Sequence, residues 1–181
     1  MQELFLMYII QEEKQMNKNI KQLAYTGMFA AVIFVMTMFV KIPVTSGYLH
    51  LGDALIYIAS LIIGPWAILA GALGEGLADV AGGYVMYAPA TVIIKALIAV
   101  PFLIIYKKGD SKLLTVKSAL MTLPAGVITV GGYFIADMII DKAYAVVDIP
   151  GNIIQAVGSA VVFIIIALAF DKSKIKNKIN L

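Results

Sequence analysis

Glu75, Asp79 and Lys95 stand inside otherwise lipid-grade sequence, in the Gly- and Ala-rich stretch 75–95. A charge at bilayer depth costs roughly 2.5–3.5 kcal/mol on insertion scales, so it persists mainly where it pairs or handles a ligand. Glu75 and Asp79 are four residues apart and share one helix face; Thr91 and Lys95 repeat that spacing. Further along, Thr129, Tyr133 and Asp137 follow an i, i+4, i+8 ladder, and Asn152, Gln155 and Ser159 an i, i+3, i+7 ladder. Four helices therefore offer polar ridges at similar depth, with Glu75 nearer mid-membrane. Ligand sites inside helix bundles are built in this way, here as a small-molecule pocket opening to one side. A Lys95–Asp79 or Lys95–Glu75 bridge, with Ser and Thr as interhelical glue, would also fasten the bundle. Fastening does not require one-sided clustering.

Other chemistry finds no support. The sequence has no P-loop, and Gly71, Gly74 and Gly76 run in an order that fails the dinucleotide fingerprint. HExxH and GxSxG patterns do not occur, and no nucleophile or metal partner accompanies the Glu75/Asp79 pair for acid–base work. The chain has no cysteine and one histidine, His50, which excludes disulfides and any metal site built from Cys and His clusters. No engine for ATP hydrolysis is visible, so active uptake needs another subunit or an ion gradient.

The elements that must position these residues are set by the apolar runs. Of 181 residues 61% are hydrophobic and 14% charged, with a mean hydropathy of +0.93, which points to an integral membrane protein with one compact bundle. Apolar segments lie at about 22–40, 53–63, 66–82, 89–106, 118–140 and 152–170. A span takes ~20 residues to cross ~30 Å of hydrocarbon. The second and third segments are short and separated only by Gly64-Pro65, where proline favours a break. They read as two spans or as a re-entrant hairpin over 53–82.

All fourteen basic residues are lysine. Arg-fork recognition of phosphate is thereby unavailable, and the pI near 9.0 reflects orientation rather than nucleic-acid binding. Lys14, Lys18 and Lys21 precede the first span; Lys107, Lys108, Lys112 and Lys117 separate the fourth and fifth; Lys172, Lys174, Lys176 and Lys178 follow the last. An even number of crossings puts these clusters on one side. The expected fold is an all-α membrane protein: a six-transmembrane-helix bundle with both termini cytoplasmic. Residues 1–20 form a cytoplasmic extension, 21–171 the membrane domain and 172–181 a basic tail. The start is open between Met1 and Met16.

The outer face then holds the 41–52 loop, the 83–88 turn and the 141–151 loop, with Tyr48, His50, Tyr84, Tyr87, Tyr144 and Asp148. They form a lid-like rim, on which His50 reads as a rim residue rather than a proton relay. Gly27 and Ala31 make a small-xxx-small pair on the first helix, a surface another helix can approach closely.

These residues resemble the substrate-binding S component of energy-coupling factor (ECF) vitamin transporters. The likeness covers about residues 20 to 170. It rests on AYTGMFAA at 24–31, GDA at 52–54 before a short helix ending in GP, and EGLADVAGGY at 75–84. It continues through APATVIIKA at 88–96, YFIAD at 133–137 and IPGNIIQ at 149–155, most like the riboflavin, hydroxymethylpyrimidine and pyridoxine branch. The resemblance implies a six-helix, multi-pass protein of the bacterial plasma membrane that binds a vitamin or vitamin precursor from outside. It implies a shared transmembrane coupling subunit carrying two ATPases, so that no cofactor is bound by this chain and ATP is hydrolysed on the partners. It implies a lid from the first outer loop, here 42–52 with Tyr48 and His50, and partner docking through Gly27 and Ala31. In that setting Asp79, Lys95, Asn152 and Gln155 would pair with ring heteroatoms and hydroxyls, Tyr84 or Tyr133 would stack on a flat ring, and Asp137 and Glu75 stand in reserve.

Two other readings stay open at this level. One is a self-sufficient secondary transporter with Glu75 or Asp79 as proton carrier, although no convincing inverted repeat relates the halves. The other is a membrane enzyme using the Glu75/Asp79 pair.

Overall fold

The computed structural model describes residues 2–44, 47–107, 109–110 and 112–174, and side chains over the same ranges except 2–15, 42–44 and 47–49. In chain order it comprises α1 (Gln2–Phe39), β1 (Lys41–Val44), β2 (Gly47–His50), α2 (Gly52–Ile62), α3 (Trp66–Ala81), α4 (Ala88–Ile105), α5 (Val116–Ile140), α6 (Tyr144–Val147) and α7 (Ile149–Ser173). Each of the six apolar segments becomes a helix. Four stretches are long and apolar enough to cross a membrane: Met16–Phe39, Ala88–Ile105, Val116–Ile140 and Tyr144–Ser173.

Three features go beyond the expected helices, whose second and third segments are already short in the sequence. The 41–52 segment is not plain loop: β1 and β2 pair antiparallel, Lys41 opposite His50 and Val44 opposite Gly47. A one-turn helix, α6, precedes α7. The third is α2, whose eleven residues rise only about 16 Å. Ten of them are buried, because α1, α3, α4 and α7 surround the helix. A helix that is apolar nearly all round belongs in an interior, and α2 is the centre of this bundle.

Local chemistry sets the boundaries. Gly64 has φ +61°, a left-handed conformation that glycine adopts without strain, and the Tyr106 ring closes over it where a Cβ would stand. Pro65 then caps α3. Thr115 and Ser118 form a reciprocal capping box that starts α5. Asp171 near the end of α7 accepts hydrogen bonds from the Leu113 and Leu114 amides at 2.7 and 2.9 Å, tying the α4–α5 connection to the end of the bundle.

Beneath the centre, Tyr57 of α2 stacks on Phe102 of α4 at 4.6 Å between ring centroids, and Phe163 of α7 meets both edge-on. This aromatic cluster holds three helices in register below the polar residues. The far end of α2 belongs to the lysine side, since Leu61 shares one surface depression with Lys107, Lys112 and Lys117. The lipid-facing exterior carries exposed Leu69, Leu73, Leu77, Ile93, Leu97, Ile104, Val157, Val161 and Ile165. This is a multi-pass membrane protein.

Candidate ligand-binding site

At the end of the bundle opposite Lys107–Lys117 lies a cavity of about 470 Å³. α1 contributes Thr37, β2 His50, α3 Glu75 and Asp79, α4 Lys95, α5 Tyr133 and Asp137, and α7 Gly151, Asn152 and Gln155. Tyr84, Tyr87, Tyr144 and Asp148 complete the wall from the connections and α6. Tyr84 and Tyr144 are 46% and 52% exposed and form the rim. All eight residues expected to bind a ligand therefore line one cavity: Glu75, Asp79, Tyr84, Lys95, Tyr133, Asp137, Asn152 and Gln155. His50 joins them; the Tyr48 side chain lies outside the described residues.

The floor is a buried ionic network that spacing along single helices did not reveal. Lys95 Nζ lies 2.5 Å from Asp53 Oδ1 and 3.4 Å from Glu75 Oε2, with all three side chains essentially inaccessible. Neither expected bridge is the principal one: Asp53, the second residue of α2, takes the closest position, and Glu75 the second. Burying charges is costly unless geometry and hydrogen bonds satisfy both partners. Here Gln155 donates to the other Asp53 oxygen at 3.2 Å, and the Lys95 ammonium also stands 5.3 Å from the centre of the Tyr133 ring. His50, Asp53 and Glu75 bring atoms of ligand type within 4.8 Å of one another, a spacing that metal ions also use. The Lys95 ammonium supplies the positive charge between these carboxylates.

Gln155 couples this floor to the hairpin. Its Oε1 accepts the His50 amide proton at 3.0 Å, and its Nε2 donates to the His50 carbonyl at 3.1 Å. One side-chain amide thus satisfies both backbone groups of the last β2 residue, while also donating to Asp53 and lying 3.2 Å from Ser159 Oγ. The bonding capacity of Gln155 is used within the protein. Gly52 is required immediately afterwards, because Thr37 Oγ1 and the Glu75 carboxyl occupy the space a Cβ would fill.

His50 Nδ1 accepts the Gly52 amide proton at 3.2 Å, which places the imidazole proton on Nε2, 3.7 Å from Glu75 Oε2. Burial, opposed by the Asp53 charge and reinforced by Lys95 and Lys41, pushes the His50 pKa from 6.5 down to about 4. The unfolded chain takes up a proton near pH 6.5 and the folded chain resists until about pH 4. The contribution is thus fully present above pH 6.5 and is lost as pH falls from 6.5 towards 4. Unfolding in detergent micelles followed between pH 7 and pH 4 will show stability falling with acidity, and His50→Gln will flatten that slope. A parallel slope in the variant would contradict a neutral, buried imidazole.

Higher in the cavity, Tyr87 donates to Asp137 Oδ1 at 2.8 Å, and Thr91 and Tyr133 share a hydrogen bond of 3.1 Å. Thr129, on the same sequence ladder as Tyr133 and Asp137, bonds instead to the Ala125 carbonyl of its own helix. Gly27 and Ala31 lie on the opposite, exposed side of α1, and among the described residues nothing stands within 4 Å of where a Cβ on Gly27 would be.

The sequence model of a family described as "ECF-type riboflavin transporter, S component" matches residues 17–172. The chain belongs to this family. It is a substrate-binding S component of an ECF transporter and not an enzyme. It is also 32% identical over 134 residues, 72% of this chain and 88% of the relative, to a protein of Pyrococcus woesei described as "Uncharacterized protein in gap 3'region". No solved structure matches.

Proposed function

We propose that this S component captures a vitamin or vitamin precursor in the cavity opposite the lysine clusters and passes it to an ECF module. That module would comprise a transmembrane coupling subunit and two ATPases. The observation that carries the reading is the convergence of Thr37, Glu75, Asp79, Tyr133, Asp137 and Asn152, from four helices, on one cavity rimmed by tyrosines. Membership of the family supports it, and the absence of any ATP-binding motif in the sequence agrees with a motor on other chains.

The proposed topology has six crossings with both termini in the cytoplasm. α2 runs from the cavity to the neighbourhood of the lysines and α3 returns, which supports an even number of crossings despite the shortness of α2. The cavity would then face outward in the cell membrane, with β1–β2 as its lid. Asp79, Asp137, Asn152, Glu75, Tyr84 and Tyr133 are the proposed ligand contacts, whereas Lys95 and Gln155 act chiefly by holding the floor and the hairpin in place.

The Gly27–Ala31 face of α1 is the proposed docking surface for the coupling subunit. A Cβ at Gly27 meets no described atom within 4 Å and the position is exposed, so Gly27→Leu should change stability by no more than about 0.5 kcal/mol, with ligand binding retained. Uptake by cells expressing the ECF module should fall at least severalfold. Transport by the chain alone, abolished by an uncoupler and indifferent to the ATPase subunits, would instead establish a proton-coupled carrier.

A further inference from the structure

The cavity's buried, unpartnered polar atoms are mostly acceptors. Among the described residues, Glu75 Oε1, Asp79 Oδ2, Asp137 Oδ2 and Thr37 Oγ1 are buried with no hydrogen-bond partner, and all four residues line the cavity. Glu75, Asp137 and Thr37 are 2%, 1% and 3% exposed, so bulk water does not satisfy these atoms. Three of the four are carboxyl oxygens, which accept when ionised.

The donors of the cavity floor are already engaged. The Lys95 ammonium is held by Asp53 and Glu75, the Gln155 amide by His50, Asp53 and Ser159, and the Tyr87 hydroxyl by Asp137. Charge runs the same way: among the described lining residues four carboxyl groups (Glu75, Asp79, Asp137, Asp148) face the ammonium of Lys95, which Asp53 already offsets, while Lys41 stands at the mouth 5.8 Å from the centre of the Tyr84 ring. Around them stand the rings of Tyr84, Tyr87, Tyr133 and Tyr144, whose faces favour cations and flat heterocycles.

We infer that the ligand is a small, flat, amine-bearing organic cation, rich in N–H donors, rather than an anionic or carbonyl-rich neutral vitamin. A phosphorylated or carboxylate ligand would meet Glu75, Asp79, Asp137 and Asp148, with the Lys95 ammonium already held by Asp53 and Glu75. A neutral ring whose edge is mainly carbonyl oxygen would leave the Asp79 and Asp137 oxygens unpaired, and a site rejects strongly a ligand that leaves its buried polar groups unpaired. A cationic ring with an exocyclic amine places donors against those oxygens and its charge among the tyrosines. The inference rests on the reading of this cavity as the ligand site of an S component.

The test is a binding panel on the full-length protein in lipid nanodiscs, by calorimetry, near neutral pH. The probes are thiamine and 4-amino-5-hydroxymethyl-2-methylpyrimidine as amine-bearing heterocycles, riboflavin as a carbonyl-rich neutral ring, and flavin mononucleotide as an anion. At least one amine-bearing probe should bind at least 100-fold more tightly than riboflavin or flavin mononucleotide. Asp79→Asn and Asp137→Asn should each weaken that probe by tenfold or more. Tyr144→Leu, at a half-exposed rim position, should weaken it by a smaller factor. Tight binding of riboflavin or flavin mononucleotide in the cavity, with the amine-bearing probes excluded, would overturn the cation assignment and leave the binding-subunit reading standing. Failure of every probe to bind would overturn the assignment for these heterocycles. An uptake defect for all solutes in cells carrying the ECF module separately tests the binding-subunit reading.

Discussion

Lys95→Met will destabilise the protein by about 3–5 kcal/mol, the range seen when one member of a buried ion pair is removed. The magnitude follows from the surroundings of Asp53. Its carboxylate is fully buried, its closest partner is Lys95 at 2.5 Å, and its other oxygen takes a bond from the neutral Gln155 amide at 3.2 Å. Methionine retains the length of the side chain, so the loss measures charge rather than volume. Asp53→Asn in the Lys95→Met background should recover a large part of the deficit, because removing both charges relieves the desolvation that removing one exposes. Unfolding in micelles by denaturant, run as a double-mutant cycle, measures the coupling. A Lys95→Met protein within about 1 kcal/mol of the parent, as at an exposed ion pair, would show that the pair is solvated and not part of the floor.

Gln155→Leu is the second large effect, and it separates floor from lid. The substitution leaves the His50 N–H, the His50 carbonyl and one Asp53 oxygen without their present partner. Each orphaned buried group costs about 1–3 kcal/mol, less whatever water recovers at the hairpin. The hairpin end is the part most able to admit water, so the expected outcome is a released β1–β2 rather than a collapsed bundle. Hydrogen exchange should show the His50 amide losing protection by a factor of at least ten while the amides of α5 keep theirs. Ligand dissociation should accelerate. Unchanged protection at His50 would contradict the role of Gln155 as the clasp of the hairpin.

Much of this architecture was legible in the residues. The helical spacings of Glu75 with Asp79, Tyr133 with Asp137 and Asn152 with Gln155 identified faces that do meet at one cavity, because a polar residue in a lipid-grade helix has few other places to go. The lysine clusters separated the two ends of the bundle. Asp53 was missed for a definite reason. A carboxylate in the first turn of a helix is ordinary dipole complementarity, and nothing in the sequence tells that it will be buried. The signal was nonetheless present in Gly52, whose missing Cβ makes room for Thr37 and Glu75 beside it.

The hairpin was hidden by its brevity and by Pro43, which reads as a strand breaker but is tolerated on an edge. Thr129 shows the converse error, since a helical hydroxyl on the right ladder can satisfy itself on its own backbone. The centrality of α2 is a tertiary property that its eleven residues do not announce.

The most direct test of the central claim is mass spectrometry of what the full-length protein carries through gentle purification from its own membrane. One small, non-lipid solute per chain is the predicted result. It should be absent from the Asp79→Asn/Asp137→Asn double variant, provided that this variant melts as the parent does. A double variant that retains the same solute at the same occupancy, or a parent that carries only lipid along its outer faces, would contradict the assignment of this cavity as the ligand site.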